Sequence, residues 1–158
     1  MKIPYPLTAA VSPDERCAQM AHSIAIANAR GYPRLQPQPI DDRQSLSIAC
    51  YGPSLLETWQ TIRPPILSMS GATRFLSDRG IIPDYHVDMD PRAYKANHID
   101  PPIPGVHYLM ASVCPARTWD LLKDERVTLW HTHNGINSEG FDTDGWVARY
   151  DRPGELNV

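Results

Sequence analysis

Cysteine is scarce in this sequence, and its spacing excludes two common ways of stabilising a small protein. There are three cysteines, Cys17, Cys50 and Cys114, an odd number with no CxxC pair. A disulfide framework needs paired cysteines, and a structural zinc site needs closely spaced cysteine and histidine ligands. The sequence has neither pattern. It therefore predicts a protein of a reducing compartment, and we expect a cytoplasmic location.

Long apolar runs and a strong excess of one charge are also missing. No run approaches the roughly 18 apolar residues of a membrane span, and the N-terminus has no charged-then-apolar signal segment. The net charge is −3 and the 15 basic residues are scattered, so we expect no nucleic-acid partner. The 16 prolines cluster between apolar runs and indicate loop boundaries rather than disorder.

Three familiar motifs of nucleotide-binding proteins and hydrolases are absent. Nothing matches the P-loop pattern G-x-x-x-x-G-K-[ST], and the lysines are only Lys2, Lys95 and Lys123. The dinucleotide pattern G-x-G-x-x-G is missing, and the residues around Ser54 do not form the G-x-S-x-G elbow of serine hydrolases. These absences disfavour P-loop kinases, NAD-dependent enzymes and α/β-hydrolases.

The N-terminal part of the chain has the pattern of one helix followed by an extended segment. Ser12-Pro13-Asp14-Glu15 resembles a capping box, which predicts a helix from there to Arg30. Met20, Ile24 and Ala27 give this helix one apolar stripe, so we expect it to pack on another element. The prolines of residues 32–42 predict an extended linker.

After the linker, strand and helix patterns alternate. The predicted strands are 45–50, 66–70, 84–89, 106–111 and 127–131, and the predicted helices are 53–62, 72–79, a short one from 91, and 115–122. This alternation favours a parallel sheet with helices on both faces, a three-layer α/β fold. We divide the chain into a helix and linker at 1–43, a main domain at 44–135, and a polar tail or truncated remainder at 136–158.

The first strand ends in a loop that is a candidate phosphate site. Gly52 permits backbone geometry that a larger residue could not reach, and Pro53 suits the first position of a helix. Free N–H groups and the helix dipole at such a junction attract anions. Ser70-Gly71 repeats the arrangement after the second strand, although close packing of helix on sheet explains it equally well.

The third strand carries acidic residues on one face. Its period of two places Asp84, His86, Asp88 and Asp90 together. Buried carboxylates are costly unless paired, so we expect this face to open onto solvent, a ligand or a metal. Mg²⁺ holding a diphosphate would suit Asp88 and Asp90, which lie nearest the ligand end. The structural alternatives are that Asp90 caps the helix at Pro91 and that Asp84 holds a turn.

Histidines and arginines near the strand ends are further candidates. His131 or His133 could act as a general base or hold a phosphate, because neutral imidazole is available near pH 7. Arg74 and Arg92 could bind phosphate through bidentate contacts. The alternatives are ordinary loop histidines and solvated surface arginines.

Three segments, in this order and spacing, resemble the family of 6-hydroxymethylpterin diphosphokinase MptE-like proteins: Tyr51-Gly52-Pro53-Ser54-Leu55, Ser70-Gly71-Ala72, and the run from Gly80 to Pro91. The resemblance covers residues 45–135 and implies a Rossmann-like domain. That family includes archaeal enzymes that transfer diphosphate from ATP to a hydroxymethyl pterin with Mg²⁺. It also has relatives called motility accessory factors, which resemble nonulosonate transferases. The leading helix and linker resemble phage- and prophage-encoded members.

The resemblance also implies site residues. Sialyltransferases of similar fold carry a Gly-Pro-Ser-Leu loop that meets a cytidine nucleotide. On this basis Asp88 and Asp90 would face phosphates or a metal. The residues that would line the nucleotide pocket are Gly52, Pro53, Ser54, Leu55, Ser70 and Gly71.

Three functions follow as expectations from this resemblance. The first is diphosphate transfer from ATP to a hydroxymethyl acceptor of pterin type, with Mg²⁺. The second is glycosyl transfer from a CMP-linked nonulosonate sugar, and the third is a non-catalytic, phage-associated binding or structural module. Family members continue past the position of Asn134 with further strands, so either the sheet is incomplete at its C-terminal end or this is a shortened version. An incomplete sheet would need a partner or another copy at its open edge.

Overall fold

The computed structural model describes residues 13–36 and 45–131, which form one parallel sheet with helices between its strands. The strands are β1 (Ser47–Ala49), β2 (Ile66–Met69), β3 (Tyr85–Asp88), β4 (His107–Ala111) and β5 (Val127–Trp130). The α-helices are α1 (Pro13–Ala29), α2 (Leu55–Thr58), α3 (Ala72–Ser77) and α4 (Ala116–Leu121), and 3₁₀ helices lie at Trp59–Thr61 and Ala93–Ile99. None of these helices is long and apolar enough to cross a membrane.

The sheet confirms the α/β class and the parallel arrangement. Its order is β1-β2-β3-β4-β5, and each pair of neighbours is parallel. Each predicted strand is present with slightly shorter ends. The order follows the sequence without a reversal among the described strands. Because every neighbouring pair is parallel, the carboxyl ends of all five strands lie at the same end of the sheet.

Burial differs between the two faces of the sheet. The face that carries the core presents Ile66, Ser68, His86, Tyr108, Met110, Val127 and Leu129. On the other face, Leu67, Val87 and Leu109 are half-buried, and the side chain of Ile48 is 62% exposed. Alternate side chains along each strand therefore enter the core, in agreement with the period of two of a β-strand.

Helix α1 packs on the sheet domain, as its apolar stripe predicts. Met20, Ile24 and Ala27 are buried in a cluster that also contains Trp119 and Leu122. Full burial of a methionine or isoleucine side chain stabilises the folded state by about 1.5–3 kcal/mol. Helix α1 is therefore part of the folded unit rather than a free extension.

The first part of the predicted linker adds to the sheet. The Leu35 N–H donates to the Leu129 carbonyl at 2.8 Å, and the Leu129 N–H donates to the Pro33 carbonyl at 2.8 Å. Arg34 thereby forms a parallel bridge with Leu129. The outer edge of β5, which could have been an open edge, is covered by the chain's own N-terminal segment.

Candidate functional site

The carboxyl ends of β2 and β3 face the 3₁₀ helix Ala93–Ile99, and polar side chains converge there. Ser70 follows β2 at the turn into α3, and its φ of 52° is in the left-handed region. A residue other than glycine rarely adopts this conformation, which costs about 1–2 kcal/mol. The surrounding contacts must therefore hold Ser70 in place, and such strained residues are concentrated at functional sites.

The Ser70 hydroxyl lies between a cation and an imidazole. Lys95 Nζ is 2.7 Å from Ser70 Oγ, and His98 Nδ1 is 2.8 Å from the same oxygen. The lysine ammonium can only donate, so the serine oxygen accepts from Lys95, and the serine proton can be donated to His98 Nδ1 when that ring nitrogen carries no hydrogen. Residues three apart eclipse each other on a 3₁₀ helix, which places Lys95 and His98 on the same side of it.

Asp90 completes a charged cluster beside this hydroxyl. Its Oδ2 lies 3.6 Å from Lys95 Nζ, and Arg92 Nε is 2.9 Å from each Asp90 carboxylate oxygen. Hydrogen bonding from Arg92 is the main cause that lowers the pKa of Asp90. The Lys95 and Asp90 side chains are only 14% and 18% exposed, whereas Arg92 is 55% exposed. Lys95 is thus a largely enclosed cation at the carboxyl ends of β2 and β3.

The two carboxylates predicted to bind Mg²⁺ are engaged by protein groups. Asp88 Oδ1 accepts the Met89 N–H at 2.8 Å and the Asp90 N–H at 3.0 Å, while Asp90 pairs with Arg92 and Lys95. A divalent ion at Asp90 would meet two cations already in contact with it. Within residues 13–36 and 45–131, no group of three or more His, Cys, Asp or Glu side chains is arranged to hold a metal. Asp90 as arranged does not fit Mg²⁺, and no step of the function proposed below passes through this ion. The magnesium assignment itself stays a prediction.

The Gly52 loop lies next to the Ser70 turn but offers few free donors. A Cβ at Gly71 would lie 3.0 Å from the ring of Tyr51, which shows that the two turns touch. The Gly52 N–H donates to the Cys50 carbonyl and the Leu55 N–H to the Gly52 carbonyl, both at 3.0 Å. Pro53 has no N–H, so among these four residues only the Ser54 amide donates no such bond to another described residue.

The expectation that Gly52 needs a special backbone conformation is wrong. Its φ is not in the left-handed region, and a Cβ there would meet nothing within 4 Å. The strained position is Ser70, one strand further along. The predicted helix from Pro53 also begins later, because Gly52 to Ser54 form a turn and α2 starts at Leu55. Whether the loop contacts a nucleotide remains a prediction.

The third strand is not as open as its polar pattern predicts. His86 is fully buried, so the expectation that the whole polar face opens onto solvent, a ligand or a metal is wrong at this residue. Asp84 has a structural role, because its carboxylate accepts the Ile66 N–H at the start of β2 at 2.7 Å. This contact is not the turn given as its alternative, which stays a prediction. Only the end of the strand, at Asp88 and Asp90, reaches the end of the sheet at which the Ser70 hydroxyl lies.

The buried His86 belongs to a chain of hydroxyl groups. Ser68 donates to the Tyr85 carbonyl at 3.0 Å, so the proton between Ser68 and Thr73, 2.7 Å apart, comes from Thr73. Thr73 must then accept from His86 Nδ1, which leaves Nε2 as a bare acceptor. Burial is the main cause that lowers the pKa of His86 to about 3, so this histidine is neutral.

His131 lies away from the Ser70 cluster. It follows β5, and its Nδ1 is 2.8 Å from the Ser112 hydroxyl at the end of β4. Three strand spacings, about 14 Å, separate the ends of β2 and β5. The structure therefore does not bring His131 to Ser70 and Asp90, and His133 lies outside the described residues. Arg74 and Arg92 differ too: Arg74 donates to the Pro101 carbonyl, and only Arg92 joins the cluster.

Two members of the cluster, Lys95 and His98, were not among the residues predicted from sequence. They lie on the connection between β3 and β4, whereas the nucleotide, metal and histidine candidates predicted from sequence lie at the ends of strands. The available signal was the rarity of lysine combined with a histidine three residues later. That signal becomes informative only when residues 93–99 are known to be a 3₁₀ helix.

An all-parallel sheet with a polar cluster at the carboxyl ends of its strands defines a Rossmann-like α/β domain. Among solved structures, the fold is similar to that of the MAf glycosyltransferase from Magnetospirillum magneticum AMB-1, with a TM-score of 0.61 and 19% sequence identity. The match covers 75% of this chain and 20% of that protein, so this chain spans about a fifth of its length. No protein-family model and no curated protein matches the chain. At this identity the likeness shows the fold.

Proposed function

We propose that this domain binds the nucleotide part of an activated sugar and contributes to glycosyl transfer. The observation that carries the proposal is the enclosed Lys95 ammonium at the carboxyl ends of β2 and β3, where ligands of such sheets bind. The likeness to a MAf glycosyltransferase supports this proposal over diphosphate transfer to a pterin.

The chemistry of the cluster fits an anionic donor. Lys95 and Arg92 would contact the donor phosphates, and Asp90 would release part of its pairing to them when the phosphate arrives. A phosphate bound to a cation is a better leaving group, because the negative charge that develops on it is neutralised. These cations supply the charge that a metal supplies in other transferases.

Lys95→Met is expected to weaken nucleotide binding. The substitution keeps an unbranched side chain as far as Cε but removes a charge-assisted hydrogen bond, which is worth about 1.5–3 kcal/mol or roughly 10- to 150-fold in affinity. Binding of CMP is measured by thermal shift, because a ligand that binds only the folded state raises the midpoint. Lys123→Met is the matched control, since Lys123 is 62% exposed and, within the described residues, pairs with Asp124 alone, at 3.9 Å.

The choice of nucleotide separates the candidate functions. Stabilisation by CMP without Mg²⁺ supports the glycosyl-transfer proposal, whereas stabilisation by ATP only with Mg²⁺ would restore diphosphate transfer. If neither nucleotide stabilises the protein at millimolar concentration, the non-catalytic module becomes the better description. Equal CMP affinity in Lys95→Met and the wild type would remove Lys95 from the site.

Gly52→Val tests the neighbouring loop, which the sequence predicts to contact the nucleotide. A Cβ at Gly52 meets nothing within 4 Å, so the fold should tolerate the valine and the unfolding temperature should change little. The added side chain would occupy the space in which we expect the nucleotide, and CMP affinity should fall at least about tenfold. An unchanged affinity in the folded variant would place the nucleotide at the Ser70 side only.

A further inference from the structure

Ser70 combines four features that are found at nucleophilic serines. It follows a parallel strand directly, it precedes a helix, its φ is 52°, and its hydroxyl is hydrogen-bonded to an imidazole. In α/β-hydrolases a sharp strand-to-helix turn of this kind presents the nucleophile at the top of the sheet. The segment around Ser70 does not match the pattern G-x-S-x-G, because that pattern requires glycine on both sides of the serine.

The flanking residues explain how the turn forms without those glycines. The elbow needs small residues two positions before and two positions after the serine, so that strand and helix can approach closely. Here these positions are Ser68 and Ala72, both completely buried. The segment Ser68-Met69-Ser70-Gly71-Ala72 therefore meets the same packing requirement with serine and alanine in place of glycine.

The partners of the hydroxyl provide a base and a positive charge. His98 Nδ1 is 2.8 Å from Ser70 Oγ and is positioned to take its proton, within the range for a general base. Lys95 Nζ, 2.7 Å from the same oxygen, stabilises the negative charge that develops as the proton leaves. Asp90 Oδ2 lies 3.6 Å from Lys95 Nζ and places a negative charge beside the ammonium.

We propose that Ser70 is a nucleophile that accepts an acyl group from an activated ester, with His98 as its general base. In this step a bond forms between Ser70 Oγ and the carbonyl carbon, and the bond from that carbon to the leaving oxygen breaks. The serine proton passes to His98 Nδ1 and then to the leaving oxygen. The inference goes beyond glycosyl transfer and does not depend on nucleotide binding.

The test uses diisopropyl fluorophosphate on the intact chain, followed by intact mass and peptide mapping. Oγ attacks the phosphorus, the phosphorus–fluorine bond breaks, and fluoride leaves with its electron pair. We expect one adduct on Ser70, together with release of nitrophenolate from p-nitrophenyl acetate. Ser70→Gly should lose both signals, and it should stay folded because glycine adopts a φ of 52° without strain.

Two further variants separate a nucleophile from a merely reactive surface serine. His98→Gln keeps a hydrogen-bonding side chain but removes the base, and the labelling rate should fall at least about 100-fold. Ser77→Ala, at the other end of α3, should label like the wild type. An adduct on another residue, an unchanged rate in folded Ser70→Gly or His98→Gln, or no adduct in the folded wild type would overturn the proposal. Nucleotide binding is measured separately by thermal shift, so each proposal can fail alone.

Discussion

Lowering the pH from 7 to 4.5 is expected to reduce the free energy of unfolding by about 2.5 kcal/mol through His86 alone. The pKa of this histidine falls from 6.5 to about 3 on folding, mainly through burial, with smaller contributions from His98 and Lys95. Between those two values the unfolded chain binds a proton that the folded chain does not. The stabilisation is therefore fully present above pH 6.5 and is lost progressively as the pH falls towards 3.

The measurement is urea unfolding at pH 7 and pH 4.5 for the wild type and for His86→Asn. Asparagine does not titrate, and its amide nitrogen takes the position of Nδ1, from which it can donate to Thr73. Comparing the two proteins isolates the contribution of His86 from those of the other titrating groups. The prediction is contradicted if both proteins lose the same stability between the two pH values.

Trp119→Ala is expected to destabilise the protein by about 3–5 kcal/mol, because it leaves a large cavity in the main core. The Trp119 side chain is completely buried, and its ring centroid lies 6.1 Å from that of Tyr32. Domains of this size have a total stability of about 5–15 kcal/mol, so the variant should be close to unfolding at 25 °C. The change is measured as the urea midpoint followed by circular dichroism.

A second tryptophan provides the control for this substitution. Trp59 is half-buried in a smaller cluster, and its ring lies 5.9 Å from the guanidinium of Arg79. Trp59→Ala removes the same atoms from a site that water can partly fill, so its cost should be less than half that of Trp119→Ala. Equal losses in the free energy of unfolding for the two variants would contradict the prediction, because the loss would then not depend on burial in the main core.

The fold could be predicted from sequence because its signals are local. Apolar runs such as Ile66 to Met69, bounded by proline and glycine, gave all five strands to within a few residues. The ends were less predictable. Pro53 and Ser54 form a turn with backbone hydrogen bonds between residues three apart, and the α-helix begins only at Leu55.

The candidate site was less predictable because it depends on which elements meet. Periodicity placed His86 on the same face as Asp88, but it could not show that packed helices cover one and leave the other at the edge. The contact of Lys95 and His98 with Ser70 joins residues 25 and 28 positions apart. Neither propensity nor spacing encodes such a contact, and the left-handed conformation of Ser70 follows from it rather than from the residue type.

The bridge between Arg34 and Leu129 has a consequence for the order in which the chain folds. The two residues lie at opposite ends of the described chain, so closing this contact costs more loop entropy than pairing β1 with β2 or β2 with β3. We expect the sheet to assemble from its sequential neighbours first, with the N-terminal segment joining last. We expect the same segment to be the first to separate from β5 when the protein opens partially, together with α1. The turn at Ser70 would stay formed in that opening.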